Sequence, residues 1–153
     1  MTLEIRRLKP EETHGLRHQV LRPNQPPEAC IYPGDDDQTT FHLGAYRQGE
    51  LICIASFYLE PHPSVRAQMA YRLRGMATAP DYRGQGIASE VLSFAINELR
   101  LSGCDKLWCN ARTSAVPLYD RAGFTKIGDE LEIDPIGPHF LMVRLIQHSS
   151  IDR

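Results

Sequence analysis

Arg83-Gly84-Gln85-Gly86-Ile87-Ala88-Ser89 is the stretch of this chain whose residue types most directly imply chemistry. Glycines at alternate positions let successive backbone N–H groups turn into one concavity, and a helix opening at Gly86 adds the positive end of its dipole. Such a cradle holds a diphosphate. Three arginines supply a second chemistry: Arg22 in a Pro-rich connection, Arg74 inside an apolar strand, and Arg112 just after Asn110. Guanidinium forks bind carboxylate or phosphonate bidentately, and a charge set in a strand between Leu73 and Met76 needs a partner. Surface salt bridging is the plainer role for the three, in a chain with 19 acidic residues. His139, in the Pro/Gly loop that precedes the last strand, brings an imidazole, a group mostly neutral at pH 7 and able to take a proton from an amine.

The glycine loop alone is compatible with several sites. A nucleoside-triphosphate loop needs Lys-Ser/Thr after its last glycine, where this chain has Ile87-Ala88. A dinucleotide loop wants a third glycine in the first strand–helix unit, but Ser89 stands there and several strands precede it. A turn that merely caps a helix stays open. The Asp35–Asp37 run reads as a solvated loop rather than metal ligands, and no cluster has metal-ligand spacing, so no metal is expected.

The elements that must position these groups follow from periodicity. A strand is expected at Thr2–Leu8 and a helix from Pro10, with Glu11 and Glu12 in its first turn. Residues 22–39, rich in Pro, Asn and Asp, form a long connection with a short helical turn at Glu28–Cys30. A hairpin joins Thr40–Arg47 to Glu50–Leu59 through Gln48-Gly49. Strand 69–77 then enters the glycine loop. The helix Gly86–Leu101 buries Ile87, Val91, Leu92, Ala95 and Leu99 and stops at Gly103. A short strand at Leu107–Cys109, a helix at Thr113–Ala122 ended by Gly123, and strands at Phe124–Leu131 and Phe140–Ile146 complete an α/β chain: a mixed, mostly antiparallel sheet of six to seven strands with helices on both faces.

Composition sets the outer limits. The chain has 153 residues, 42% of them hydrophobic, and a net charge of −2. That is one ordinary domain, 1–147, with a frayed tail at 148–153. No basic field points to nucleic acid, and no apolar run is long enough for a membrane span. The first residues lack the apolar core of a signal peptide, and Cys30, Cys53, Cys104 and Cys109 are expected as buried, reduced thiols; both point to the cytoplasm. Monomer and homodimer are both open. His14, His18, His62 and His148 read as surface positions, and His42 as structural.

Arg83-x-x-Gly86-x-Ala88, placed after the hairpin and a strand, resembles the acyl-coenzyme-A loop of the GNAT acetyltransferase superfamily. Asn110 at a strand end, followed by Leu118-Tyr119-x-x-x-Gly123-Phe124, resembles that family's second cofactor motif. Arg22-Pro23-Asn24-Gln25-Pro26, Phe41-His42-Leu43-Gly44, Ile54-Ala55-Ser56-Phe57, Leu73–Thr78, Leu107–Ser114 and Pro135-Ile136-Gly137-Pro138-His139 resemble one subgroup, the bacterial glyphosate N-acetyltransferases.

The resemblance implies a GNAT-like fold and acetyl transfer from acetyl-CoA to the amine of a small acceptor bearing carboxylate or phosphonate. The cofactor would be held by the backbone of Gly84, Gln85, Gly86, Ile87, Ala88 and Ser89, with Arg83 and Asn110 alongside. Its pantetheine arm would pair with Met76, Ala77 and Thr78, and the Met76 N–H would face the thioester oxygen. Tyr119 would protonate the leaving thiolate, since a phenol is protonated at neutral pH. Without the resemblance, Tyr119 is an ordinary amphipathic core residue. His139 would be the base, and Arg22, Arg74, Arg112 and His139 would receive the acceptor. Two alternatives share the loop: a peptide or protein amine as acceptor, and a non-catalytic acyl-CoA-binding module.

Overall fold

The computed structural model describes residues 2–133 and 137–146. Seven strands form: β1 (Leu3–Leu8), β2 (Phe41–Arg47), β3 (Glu50–Leu59), β4 (Ala70–Thr78), β5 (Lys106–Arg112), β6 (Thr125–Ile133) and β7 (Gly137–Leu145). They make one mixed sheet in the order β1-β2-β3-β4-β5-β7-β6. Pairing is antiparallel at β1–β2, β2–β3, β5–β7 and β6–β7, and parallel at β4–β5. The α-helices are α1 (His14–Leu16), α2 (Ile87–Ser102) and α3 (Val116–Arg121). The expected element order therefore holds, with longer strands at β5 and β7. Pro135, Ile136, His148 and the tail 148–153 lie outside the described residues.

The chain gathers into two compact units, Met1–Tyr58 with Leu73–Ala95, and Leu59–Arg72 with Ile96–Arg153. In the first, the β2–β3 hairpin turns at Gln48 and Gly49, both at positive φ (52° and 81°), the conformation that matches strand twist. Both faces of the hairpin are apolar: Leu43, Ala45, Cys53 and Phe57 lie on one and Ile54 on the other, all inaccessible to water. The helix expected from Pro10 forms in three geometries: a 3-10 turn Pro10–Thr13, the single α-turn of α1, and a π-turn Arg17–Leu21.

In the second unit, β4 and β5 pair over Ala70–Arg72 and Lys106–Trp108; the ladder stops there, although β4 runs on to Thr78 and β5 to Arg112. Trp108 is buried and donates its indole N–H to the Glu60 carbonyl at 2.8 Å. β5 is lined by β7 along its whole length, from Lys106–Leu145 to Arg112–His139.

Helix α2 buries Ile87, Val91, Leu92, Ala95, Ile96 and Leu99, the stripe expected of a 3.6-residue period. Gly103, at φ 90°, ends it. The Cys104 N–H bonds the Leu99 carbonyl (3.1 Å) and the Gly103 N–H that of Arg100 (3.4 Å), a Schellman closure. All four cysteines are free and buried; burial pushes the Cys53 and Cys104 thiols up to about 11 and Cys109 higher still. Those three thiols stay protonated at neutral pH.

Candidate active site

The glycine loop leaves β4 through a 3-10 turn, Pro80–Tyr82, and meets α2 at Ile87. Gly84 and Gly86 sit at φ 76° and 79°, a conformation that any other L-residue adopts only with strain. A Cβ built on either would meet nothing within 4 Å, so the space in front of the loop is open. The loop is pinned to its own unit at three points. Arg47 Nη1 donates to Gln85 Oε1 (2.7 Å), the Tyr82 hydroxyl to Glu50 (3.0 Å), and the Ala79 N–H to the Ile52 carbonyl (2.8 Å). Arg83 folds back so that Nε donates to the Thr78 carbonyl (3.4 Å). An open backbone cradle at the start of a four-turn helix fits a diphosphate.

Gly75, at φ 68°, bends β4 between Arg74 and Met76. A Cβ there would lie 3.2 Å from the Tyr32 ring and 3.5 Å from Arg17 Nε, so the bend admits a close approach by both. Tyr32 is 5% exposed and is ringed by cations. The guanidinium carbons of Arg17, Arg74 and Arg22 lie 3.9, 4.3 and 5.0 Å from its centroid. Arg22 and Arg74, far apart in sequence, thus meet on one buried aromatic.

Sequence reasoning missed Arg17, Tyr32, Ser56 and Tyr58, and misplaced Asp35. Instead of lying in a solvated loop, Asp35 is buried, while Asp36 and Asp37 are exposed. Its carboxylate accepts from Arg17 Nη1 (2.7 Å) and Nη2 (3.1 Å), from the Tyr58 hydroxyl (2.6 Å) and from the Tyr32 N–H (2.9 Å). Burial drives that carboxyl upward, but these donors outweigh it and hold it below the ordinary value. Arg17 also donates to Ser56 Oγ (2.9 Å), the Tyr58 oxygen (3.2 Å) and the Cys30 carbonyl (2.8 Å). His42 is structural, as expected: Nε2 donates to the Asp35 carbonyl (3.0 Å), which leaves Nδ1 to accept from Ser56 (2.7 Å). No local spacing in the sequence points to this network, whose members come from separate segments of the chain.

In the second unit, His139 lies inside β7 rather than in a loop, opposite Arg112 on β5 and Leu131 on β6. The β6 ladder continues through Pro138 and Gly137, opposite Glu132 and Ile133, while the β5 ladder stops at His139; the Thr113 hydroxyl donates to the Pro138 carbonyl (3.1 Å). The imidazole is 3% exposed, and its Nδ1 has no hydrogen-bond partner among the described residues. Arg112 is exposed and Asn110 half-buried.

Tyr119 is buried on α3 and stands edge-on to Phe124, ring centroids 5.3 Å apart. Gly123 at φ 93° closes this helix as Gly103 closes α2: the Phe124 N–H bonds the Tyr119 carbonyl (2.9 Å) and the Gly123 N–H that of Asp120 (3.1 Å). The Tyr119-Gly123-Phe124 spacing is thus also that of a Schellman cap with its apolar contact.

The profile of the acetyltransferase (GNAT) family matches residues 5–124, from β1 through the glycine loop to the α3 cap. The chain belongs to the GNAT acetyltransferase family. As a GNAT protein it is an acetyl-CoA-dependent N-acyltransferase. It is 39% identical over 147 residues to the uncharacterized N-acetyltransferase YitI of Bacillus subtilis (strain 168), covering 96% of this chain and 99% of that one. Two solved structures share the fold at low identity. One is a Lactobacillus plantarum protein described as an N-acetyltransferase (17% identity, TM-score 0.78, 96% of this chain and 100% of that one). The other is the ribosomal-protein-S18-alanine N-acetyltransferase of Escherichia coli (17% identity, TM-score 0.74, 99% of each chain). Among the described residues, no helix is long and apolar enough to cross a membrane, and no three or more His, Cys, Asp or Glu side chains are grouped so as to hold a metal ion.

Proposed function

We propose that residues 1–147 act as one catalytic domain that acetylates the amine of a small acceptor carrying carboxylate or phosphonate, as in the glyphosate N-acetyltransferases that segments from Arg22 to His139 resemble. The observation that carries this reading is the meeting of Arg22 and Arg74 on the Tyr32 ring. Both side chains are half-buried, so their forks are held and yet reachable. An acid group on the acceptor answers such forks; a neutral amine does not.

The backbone of Gly84–Ser89, with Arg83 and Asn110 alongside, binds the cofactor's phosphates, and Met76, Ala77 and Thr78 pair with its pantetheine arm. Acetyl-CoA supplies a thioester whose C–S bond breaks as the amine nitrogen forms the new C–N bond. His139 takes the amine proton, and its Nδ1, lacking a partner among the described residues, has the lone pair or N–H to spare. Tyr119 gives its phenol proton to the thiolate. Arg112, register partner of His139, adds a third fork for the acid group.

The test is free-thiol release from acetyl-CoA against amino acids, amino-phosphonates, aminoglycosides and short peptides with free N-termini. Turnover is expected for acidic small amines. A preference for peptides would replace this acceptor, and tight acetyl-CoA binding with no thiol release would make the chain a binding module.

A further inference from the structure

We propose that the buried Arg17–Asp35 pair is a positioning device for acceptor selectivity: it fixes the Tyr32 ring that carries Arg22 and Arg74. The proposal deepens the acceptor reading above and rests on it for its kinetic arm.

Asp35 grips Tyr32 twice. One carboxylate oxygen, Oδ2, accepts both the Tyr32 backbone N–H (2.9 Å) and Arg17 Nη1 (2.7 Å). The Arg17 guanidinium then lies on the Tyr32 ring at 3.9 Å. Backbone and ring of Tyr32 are therefore held by one ion pair, itself locked by Ser56, Tyr58 and the Cys30 carbonyl.

The helix geometry makes the same point. In an α-helix, side chains five residues apart point about 140° away from each other. Here the Arg22 N–H donates to the Arg17 carbonyl (3.0 Å), the five-residue bond of a π-turn, which brings both residues to one side. Arg17 and Arg22 consequently share the Tyr32 ring, and the Gly75 bend lets Arg74 join them. Arg17, inaccessible to water, cannot touch an acceptor; it acts through Tyr32.

Two measurements test this. In the folded protein, NMR of the arginine Nε–Hε groups reads ring-current shifts of Arg22 and Arg74, with Tyr32→Leu as the zero. Asp35→Asn and Arg17→Lys, which weaken the pair or its fork, are expected to collapse those shifts toward that zero; wild-type shifts in either folded variant overturn the proposal. Should neither variant fold, kinetics decide. Tyr32→Leu should raise KM for an amino acid about tenfold with kcat within about twofold, and leave KM for its carboxamide and for acetyl-CoA unchanged. Tyr32→Phe, which keeps the ring, should restore wild-type KM. Equal losses for acid and amide, or no loss, overturn positioning. A wild-type enzyme indifferent to acid and amide would instead refute the acidic acceptor, while the ring-current shifts still decide the device.

Discussion

The rings of Tyr32 and His139 are almost equally buried, 5% and 3% exposed, yet their surroundings differ in kind. Around Tyr32, an arginine, an aspartate, a serine, a tyrosine and a histidine exchange directed hydrogen bonds, each donor matched to an acceptor except Arg17 Nε. Around His139 the β5 ladder ends at Arg112 and the β6 ladder shifts register between Ile127 and Leu131, and the imidazole Nδ1 has no partner among the described residues. Satisfied buried polar groups fix geometry, whereas an unsatisfied one is costly and calls for an explanation. The first region is fixed by its hydrogen bonds, and the second leaves a ring nitrogen unpartnered among the described residues.

Breaking the Arg17–Asp35 pair tests that contrast most severely. Arg17→Met would strand a buried carboxylate and cost about 3–5 kcal/mol of stability. Pairing it with Asp35→Leu should recover much of the loss, because an apolar replacement of both partners removes the orphaned charge. Urea denaturation midpoints read both. A single variant as stable as wild type would show that the network does not hold the region.

His139→Ala probes the other side. Turnover is expected to fall about 100-fold or more, the usual worth of a positioned base. Acetyl-CoA affinity by calorimetry should stay within about twofold. Unchanged turnover would remove His139 from the chemistry and leave its unpartnered nitrogen as mere core. Gly86→Ala is a smaller perturbation between the two regions' extremes. Its φ of 79° would cost about 1–2 kcal/mol with a Cβ present, and KM for acetyl-CoA should rise while KM for the amine does not.

Much of this was legible in the residues, for stated reasons. Helix α2 declared itself through its apolar stripe and Gly103, and the hairpin through Gln48-Gly49, because local periodicity and positive-φ turns are written in short stretches. Asp35 was not legible. Its neighbours Asp36 and Asp37 are solvated, and only contacts with Arg17 and Tyr58, distant in sequence, distinguish it. His139 sat in a Pro-Gly context that reads as loop, whereas ladder partners on β5 and β6 override that local preference. Tyr32 gave no signal, since a platform for three arginines exists only once a π-turn and a bent strand have formed around it.

The gentlest test uses pH. Burial lowers the pKa of His42 from its ordinary 6.5, with the Asp35 carbonyl and carboxylate opposing and Arg17 assisting. The folded protein therefore resists a proton that the unfolded chain accepts near pH 6.5. Below that value the unfolded state binds more protons, and stability falls as pH falls; above it the contribution is fully present. Protonation would also place a donor on Nδ1 against the Ser56 hydroxyl and a second cation beside Arg17. Denaturation midpoints should thus be flat from pH 8 to about 7 and decline toward pH 5, with His42→Gln flattening the decline. The Asp35 carboxylate, held below its ordinary 3.8, contributes its own loss only at more acidic pH, so the two steps separate. A wild-type midpoint that is flat through pH 5 would show that burial does not hold the His42 imidazole below its ordinary value.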